Sequence, residues 1–216
     1  MSDLRYTLLT DGSSDRVLIP LLTWLLRTNG VNQAIQSEWA DFRHLRVKPR
    51  DLAARITLSL KLYPCELLFV HRDAETEPRE SRIVEISRAI DDAANTGLVS
   101  FPPTICVIPV RMQEAWLLFD VAAIRRAAGN PHGQENLILP QLNRIEHLPD
   151  PKSDLHDLLR RASGLGPRRR ARLNVHQRAI QVSGFIMDFS PLRVLPAFRA
   201  LEADIIQVIR ESGWTA

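Results

Sequence analysis

Leu4–Leu22 reads LRYTLLTDGSSDRVLIPLL, and the order of residue types in it sets the fold class. Leu4–Thr10 is a short run of apolar and β-favouring residues, the composition of a strand. It stops at Asp11-Gly12-Ser13-Ser14, which has turn chemistry. From Asp15 to Arg27 the period changes: Val17, Leu18, Leu21, Leu22 and Leu25 recur at helical spacing. Ser13 or Ser14 can cap that helix, Pro20 must lie in its first turns, and Asn29-Gly30 ends it. Strand, tight turn and helix together make one unit of a wound α/β sheet.

The same unit recurs along the chain. His44–Lys48 (HLRVK) reads as an edge strand, and Pro49–Leu62 as a helix with Leu52, Ile56 and Leu60 on one face. Glu66–Val70 (ELLFV) has strand length and runs into His71-Arg72-Asp73-Ala74-Glu75. Glu80–Ala94 is an amphipathic helix through Ile83, Ile86 and Ile90. Thr104–Val110 (TICVIPV) is nearly all apolar and β-branched, as a strand buried on both faces should be. Met112–Ala128 reads as the next helix. Alternating strands and helices predict a mainly parallel, Rossmann-like sheet with helices on both faces and right-handed connections. This α/β domain should span residues 1–128. Residues 129–150 read as a loop-rich connection holding the apolar run Leu137–Leu142. Residues 151–216 read as a basic helical extension packed on the same domain, with helices at Ser153–Ala162, Arg169–Ile186 and Leu192–Arg210.

With 216 residues the chain is long enough to bury a core without disulfides or a structural metal, and its 25% charged residues exclude wholesale disorder. The net charge of +3 is unevenly spread. Residues 1–150 sum to −2 and residues 151–216 to +5, so the basic character belongs to the last third. Cys65 and Cys106 each start an apolar run and read as reduced core residues of a cytoplasmic protein. The apolar stretch Val17–Leu26 is too short to span a bilayer and contains Pro20. It follows Asp3, Asp11 and Asp15, so the positive start of a signal peptide is missing too. No membrane association is expected.

Ligands of such sheets bind at the C-terminal ends of the strands. Asp11 and Asp15 follow the first strand there, Asp73 and Glu75 the central one, and Glu114 the last. Carboxylates gathered without matching lysines repel one another, and a divalent cation relieves that repulsion. Hard oxygen ligands suit Mg²⁺, Mn²⁺ or Ca²⁺. One or two such ions can activate water and stabilise an in-line phosphodiester displacement. Each acid also has an ordinary structural reading. Asp-Gly is a common turn, acids favour the first turn of a helix, and Asp73 and Glu75 suit a solvated loop.

LLTDGSSDRVLIPLL (residues 8–22) resembles the first motif of TOPRIM domains, and LLFVHRDAE (67–75) resembles their second. Together with VIPVRMQEAWLLFD (107–120), DPKSDL (150–155) and FSPLRVLPAF (189–198), the ordered set resembles the DUF4276 family of TOPRIM-like proteins, related to the OLD-type nucleases. The resemblance covers nearly the whole chain. It implies a Mg²⁺- or Mn²⁺-dependent nuclease and a partner ATPase of the ABC type, in bacterial defence against phage. It implies that Asp11, Asp15, Asp73, Glu114 and Lys152 are catalytic and that Asp11, Asp73, Glu75 and Glu114 hold the metal. Asp120 matches the last acid of the third motif. Two positions depart from the pattern: Asp11 stands where Glu is usual, and Glu75 where Asp is usual.

Lys152, one of three lysines, can neutralise a phosphate as a point charge, or simply precede a helix capped by Ser153. His71 suits a structural role better than a general base. Arg72 and Arg111 suit either a carboxylate partner or a phosphate. Trp116, Leu117 and Leu118 read as core. Arg168, Arg169, Arg170 and Arg172 would grip a nucleic-acid backbone, DNA more readily than RNA, or else form a solvated face. The alternative to an enzyme is a TOPRIM-like subunit without chemistry that docks on an ATPase or nucleic acid. A phosphotransfer domain with Asp11 as acceptor fits less well, because it needs a Lys at a later strand end and Val110-Arg111 offers none.

Overall fold

A computed structural model describes residues 3–75, 77–95 and 101–214. Within them, β1 (Leu4–Leu9), β2 (Ile35–Trp39), β3 (Leu67–His71) and β4 (Thr104–Val107) form one all-parallel sheet in the order β2-β1-β3-β4. Leu8 of β1 is in register with Trp39 of β2 on one side and Phe69 of β3 on the other. The α/β architecture, with the first, central and last strands where the apolar runs lie, is the Rossmann-like layout expected.

Side chains alternate across a strand, and here the alternation divides the core in two. Tyr6, Leu8, Leu67, Phe69, Ile105 and Val107 face a large core with α1 (Leu18–Thr28). Leu9, Leu68 and Val70 face a smaller one with Ile56 of α2 (Leu52–Leu62) and Ile86 of α3 (Arg79–Ala94). Five further helices complete the described chain: α4 (Val121–Ala127), α5 (Pro151–Ala162), α6 (Pro167–Arg170), α7 (Val175–Phe185) and α8 (Pro196–Ser212). All but α6 contribute to the large core: Ile124, Leu155, Leu159, Val182, Phe198, Leu201 and Ile205 are continuous with Tyr6 and Phe69. The tail is therefore the second half of that core. No described helix is long and apolar enough to cross a membrane.

Three elements differ from expectation, each for a local reason. The edge strand is Ile35–Trp39, and residues 44–48 are turn, bend and loop. IQSEW lies at the sheet edge with its middle residues exposed, so it carries almost no apolar signal. The run Met112–Ala128 is broken. Met112 is extended, Gln113–Leu117 is a 3₁₀ turn, and Asp120 begins α4 by accepting a hydrogen bond from the Ala123 N–H at 2.9 Å. Likewise Asn174 accepts from the Gln177 N–H at 3.1 Å and separates α7 from α6. Ser, Asp and Asn side chains compete with helix interiors in this way.

The first helix opens as a 3₁₀ turn, Ser14–Val17, without a side-chain cap from Ser13. Pro20 is the third residue of α1, where its missing N–H has no helical partner to lose. The Tyr6 hydroxyl, buried in β1, donates to the Ile19 carbonyl at 3.0 Å and sits 2.7 Å from Thr23 Oγ1. Burial pushes its pKa up to about 12. It fixes the start of α1, and with it the 3₁₀ turn, against the sheet.

Candidate active site at the carboxyl edge of the sheet

In the order β2-β1-β3-β4 the chain leaves β1 toward one side of the sheet and later crosses β1 to build the other. The crevice between the C-terminal ends of β1 and β3 is thus the switch point at which wound sheets bind ligands. The loops after β1, β3 and β4 meet there.

Asp15 is the fixed point of the crevice. It is buried, and its Oδ2 accepts from the Gly12 N–H at 2.9 Å. Its Oδ1 accepts from Ser14 Oγ and from Gln113 Nε2, both at 2.9 Å. A Cβ on Gly12 would lie 3.4 Å from both carboxylate oxygens, in ordinary contact, so the turn packs closely against the acid. His71 ends β3 and is buried. Its Nδ1–H donates to the Val107 carbonyl at 2.9 Å, leaving the Nε2 lone pair to face two acids. Nε2 is 3.9 Å from Asp15 Oδ2 and 3.5 Å from Asp73 Oδ1. Burial lowers the His71 pKa against the raising pull of Asp15.

Asp73 carries the largest perturbation. Burial, then the charges of Asp15 and Glu114, push its pKa up to about 8, against a lowering hydrogen bond from the Gln113 backbone. Its Oδ1 is buried without a hydrogen-bond partner. Near neutral pH, Asp73 therefore holds a proton opposite the His71 lone pair. Glu114 lies in the 3₁₀ turn after β4 and is also raised, chiefly by burial. Lys152 in the first turn of α5 opposes that shift, with Nζ 3.7 Å from Glu114 Oε1.

The crevice therefore brings together Asp15, Asp73, Glu114 and Lys152 from four separate segments. It does not include Asp11. That carboxylate is half exposed and is ion-paired with Arg55 of α2 and with Arg72, the latter at 2.5 Å. Arg72 also pairs with Glu85 of α3 at 2.8 Å. Glu75 is exposed in a left-handed backbone conformation, φ 56°. Asp120 is spent on capping α4. The expected four-ligand set Asp11, Asp73, Glu75 and Glu114 is thus not assembled. Among the described residues, no group of three His, Cys, Asp or Glu side chains is arranged to hold an ion.

Gln113 was not among the expected site residues. It is buried, bonds Asp15 through Nε2 and leaves Oε1 without a partner. Its only signal in sequence is its place beside Glu114. A cleft of about 270 Å³ opens from the crevice toward the tail, lined by Ser13, Glu114, Lys152, His156 and His176. The two imidazoles meet edge to face, centroids 4.7 Å apart. His176 lies in the first turn of α7, which packs on the 3₁₀ turn holding Asp15. Arg168, Arg169 and Arg172 are exposed just before that helix, and Arg170 is partly buried. The basic segment of the tail thus leads directly into a helix that borders the acidic edge.

The chain matches no family model, no curated protein and no solved structure.

Proposed function

We propose that the chain is a TOPRIM-like, divalent-metal-dependent nuclease with its reacting centre in the crevice between β1 and β3. The observation that carries this reading is a buried oxygen, Asp73 Oδ1, that has no hydrogen-bond partner, on a carboxyl that feels the charges of Asp15 and Glu114. Hard carboxylate oxygens fit Mg²⁺ or Mn²⁺. Mg²⁺ is commonly bound by one or two carboxylates, with water and substrate phosphate supplying the rest, so Asp73 and Glu114 suffice without Asp11. When bound, such an ion supplies charge that activates water and stabilises phosphoryl oxygens.

The chain's own residues do the remaining work. Asp15, held by three donors, fixes the position of the crevice wall. Lys152 offers a point charge to a phosphate beside Glu114. His71 is held by the bond from Nδ1–H to the Val107 carbonyl and presents an unprotonated Nε2 toward Asp73. The ABC-type ATPase partner and the anti-phage role rest on the family resemblance alone, and the cytoplasmic setting on the reading of the two cysteines as reduced. One observation favours the second reading, a binding subunit without chemistry: Asp11, which aligns with the first-motif acid, is committed to Arg55 and Arg72.

Supercoiled plasmid and single-stranded DNA, incubated with Mg²⁺ or Mn²⁺, test the proposal. The expected result is metal-dependent cleavage that Asp73→Ala abolishes and Asp11→Ala leaves in place. Cleavage unchanged by Asp73→Ala would sink the assignment. Inactivity with either metal, with the ATPase partner present, establishes the binding subunit.

A further inference from the structure

The loop that leads from β2 into α2 carries a second group of positive charges, separate from the tail. Residues 43–55 hold Arg43, Arg46, Lys48, Arg50 and Arg55. Two of these are committed: Arg43 to Asp41 at 2.7 Å and to the Trp39 ring at 5.0 Å, and Arg55 to Asp11 and the Thr10 carbonyl. Of the local acids, Asp51 caps α2 by accepting from the Ala54 N–H at 2.8 Å. Arg46, Lys48 and Arg50 have no acidic partner among the described residues, and all three are exposed.

Because β2 is parallel to β1, this loop leaves the sheet at the same edge as the acidic crevice. A cleft of about 280 Å³ separates the loop from the Asp11 turn, with Lys48, Arg50 and Arg55 along it. Asp11, which would repel an anion there, is neutralised by Arg55 and Arg72. The acidic crevice thus has an open cationic cleft on its α2 side, and on the other side α7, which the basic segment Arg168–Arg172 precedes. An open cationic cleft beside a carboxylate cluster suits a ligand longer than one phosphate, because a repeating phosphodiester can lie along the cleft while one of its linkages enters the crevice.

We propose that Arg46, Lys48 and Arg50 form a phosphodiester-binding surface that holds a nucleic-acid strand across the β1–β2 end of the sheet. This deepens the nuclease reading and rests on it for the identity of the ligand. Contact is to the backbone, so it adds affinity and path without sequence preference.

Binding is read in EDTA, where hydrolysis plays no part, so a failed cleavage assay and a failed surface assignment are separate results. Labelled duplex DNA, single-stranded DNA and RNA are titrated with the full chain over a range of salt. The triple variant Arg46→Ala, Lys48→Ala, Arg50→Ala is compared with Arg210→Ala, an exposed arginine at the end of α8. The triple variant should weaken binding roughly tenfold or more at low salt and reduce the log–log salt slope by roughly 2–3. Arg210→Ala should change neither. Equal melting temperatures exclude a folding defect, and Lys48→Glu alone should weaken binding in the same direction. An unchanged salt slope in the triple variant overturns the surface, whatever the cleavage assay gives. Wild-type protein that binds none of the three probes overturns it too.

Discussion

Asp73→Asn is expected to stabilise the metal-free protein at pH 8 by a few kcal/mol and to have almost no effect below pH 4. The Asp73 carboxyl holds its proton up to about pH 8 in the folded chain, against an ordinary value of 3.8. Below pH 4 both folded and unfolded chains are protonated and the group contributes nothing. Between pH 4 and pH 8 the unfolded chain has lost the proton while the folded chain keeps it. The folded state then binds more protons, so stability falls as pH rises. Above pH 8 the cost is complete, and the pKa difference bounds it at about 6 kcal/mol. Part of Asp73 is solvent-exposed, which reduces the realised effect to a few kcal/mol. Urea midpoints in EDTA at pH 4, 6 and 8 measure this directly. The wild-type midpoint should fall across the series faster than that of Asp73→Asn. Parallel curves would show that Asp73 is not the strained acid. Added Mg²⁺ at pH 8 should raise the wild-type midpoint and leave that of Asp73→Asn in place.

Trp116→Ala is expected to cost about 3–5 kcal/mol. Trp116 is almost wholly buried and meets Phe198 of α8 edge to face, centroids 5.7 Å apart. Its Nε1–H donates to Glu146 Oε1 at 3.3 Å. Glu146 is itself buried, and burial raises its pKa, so the variant leaves both a cavity and an acid without its donor. The indole joins the segment after β4 to the tail, so its loss loosens the two halves of one core. A chain ending at Ala128 should accordingly show no cooperative unfolding transition, because the large core loses Leu155, Val182, Phe198 and Leu201. Circular dichroism melts check both results. A cooperative transition in the shortened chain would show that residues 1–128 fold alone.

The two inner strands were legible in the sequence because their burial is written as largely apolar runs, LRYTLL and LLFVH, and β4 was legible from the β-branched TICV although one of its faces is only partly buried. The edge strand was not, since a strand exposed on much of its surface can be written IQSEW. Nearby HLRVK alternates in the manner of a strand, but residues 44–48 have no ladder partner in the sheet. Asp15, Asp73 and Glu114 could be found because a parallel sheet carries every post-strand loop to one edge. The direction in which each carboxylate points could not. Asp11 and Asp15 share one turn, yet Arg55 and Arg72, 44 and 61 residues away, draw Asp11 out of the crevice. Gln113 was missed because an amide has no distinctive chemistry until its partner is known.

The unequal cores on the two faces of the sheet have a mechanical consequence. Asp15 and Glu114 hang from the thick side, which α1 and the tail helices α5, α7 and α8 brace. The β2–α2 loop hangs from the thin side, where Ala40 and Ile56 pack in a core completed by α2 and α3 alone. Local opening is cheapest where few buried contacts must be broken. The thin layer can therefore breathe, carrying its arginines and Lys48 with it, while the carboxylates stay in register with the sheet. Amide exchange should sense that difference as earlier labelling of α2 than of α1.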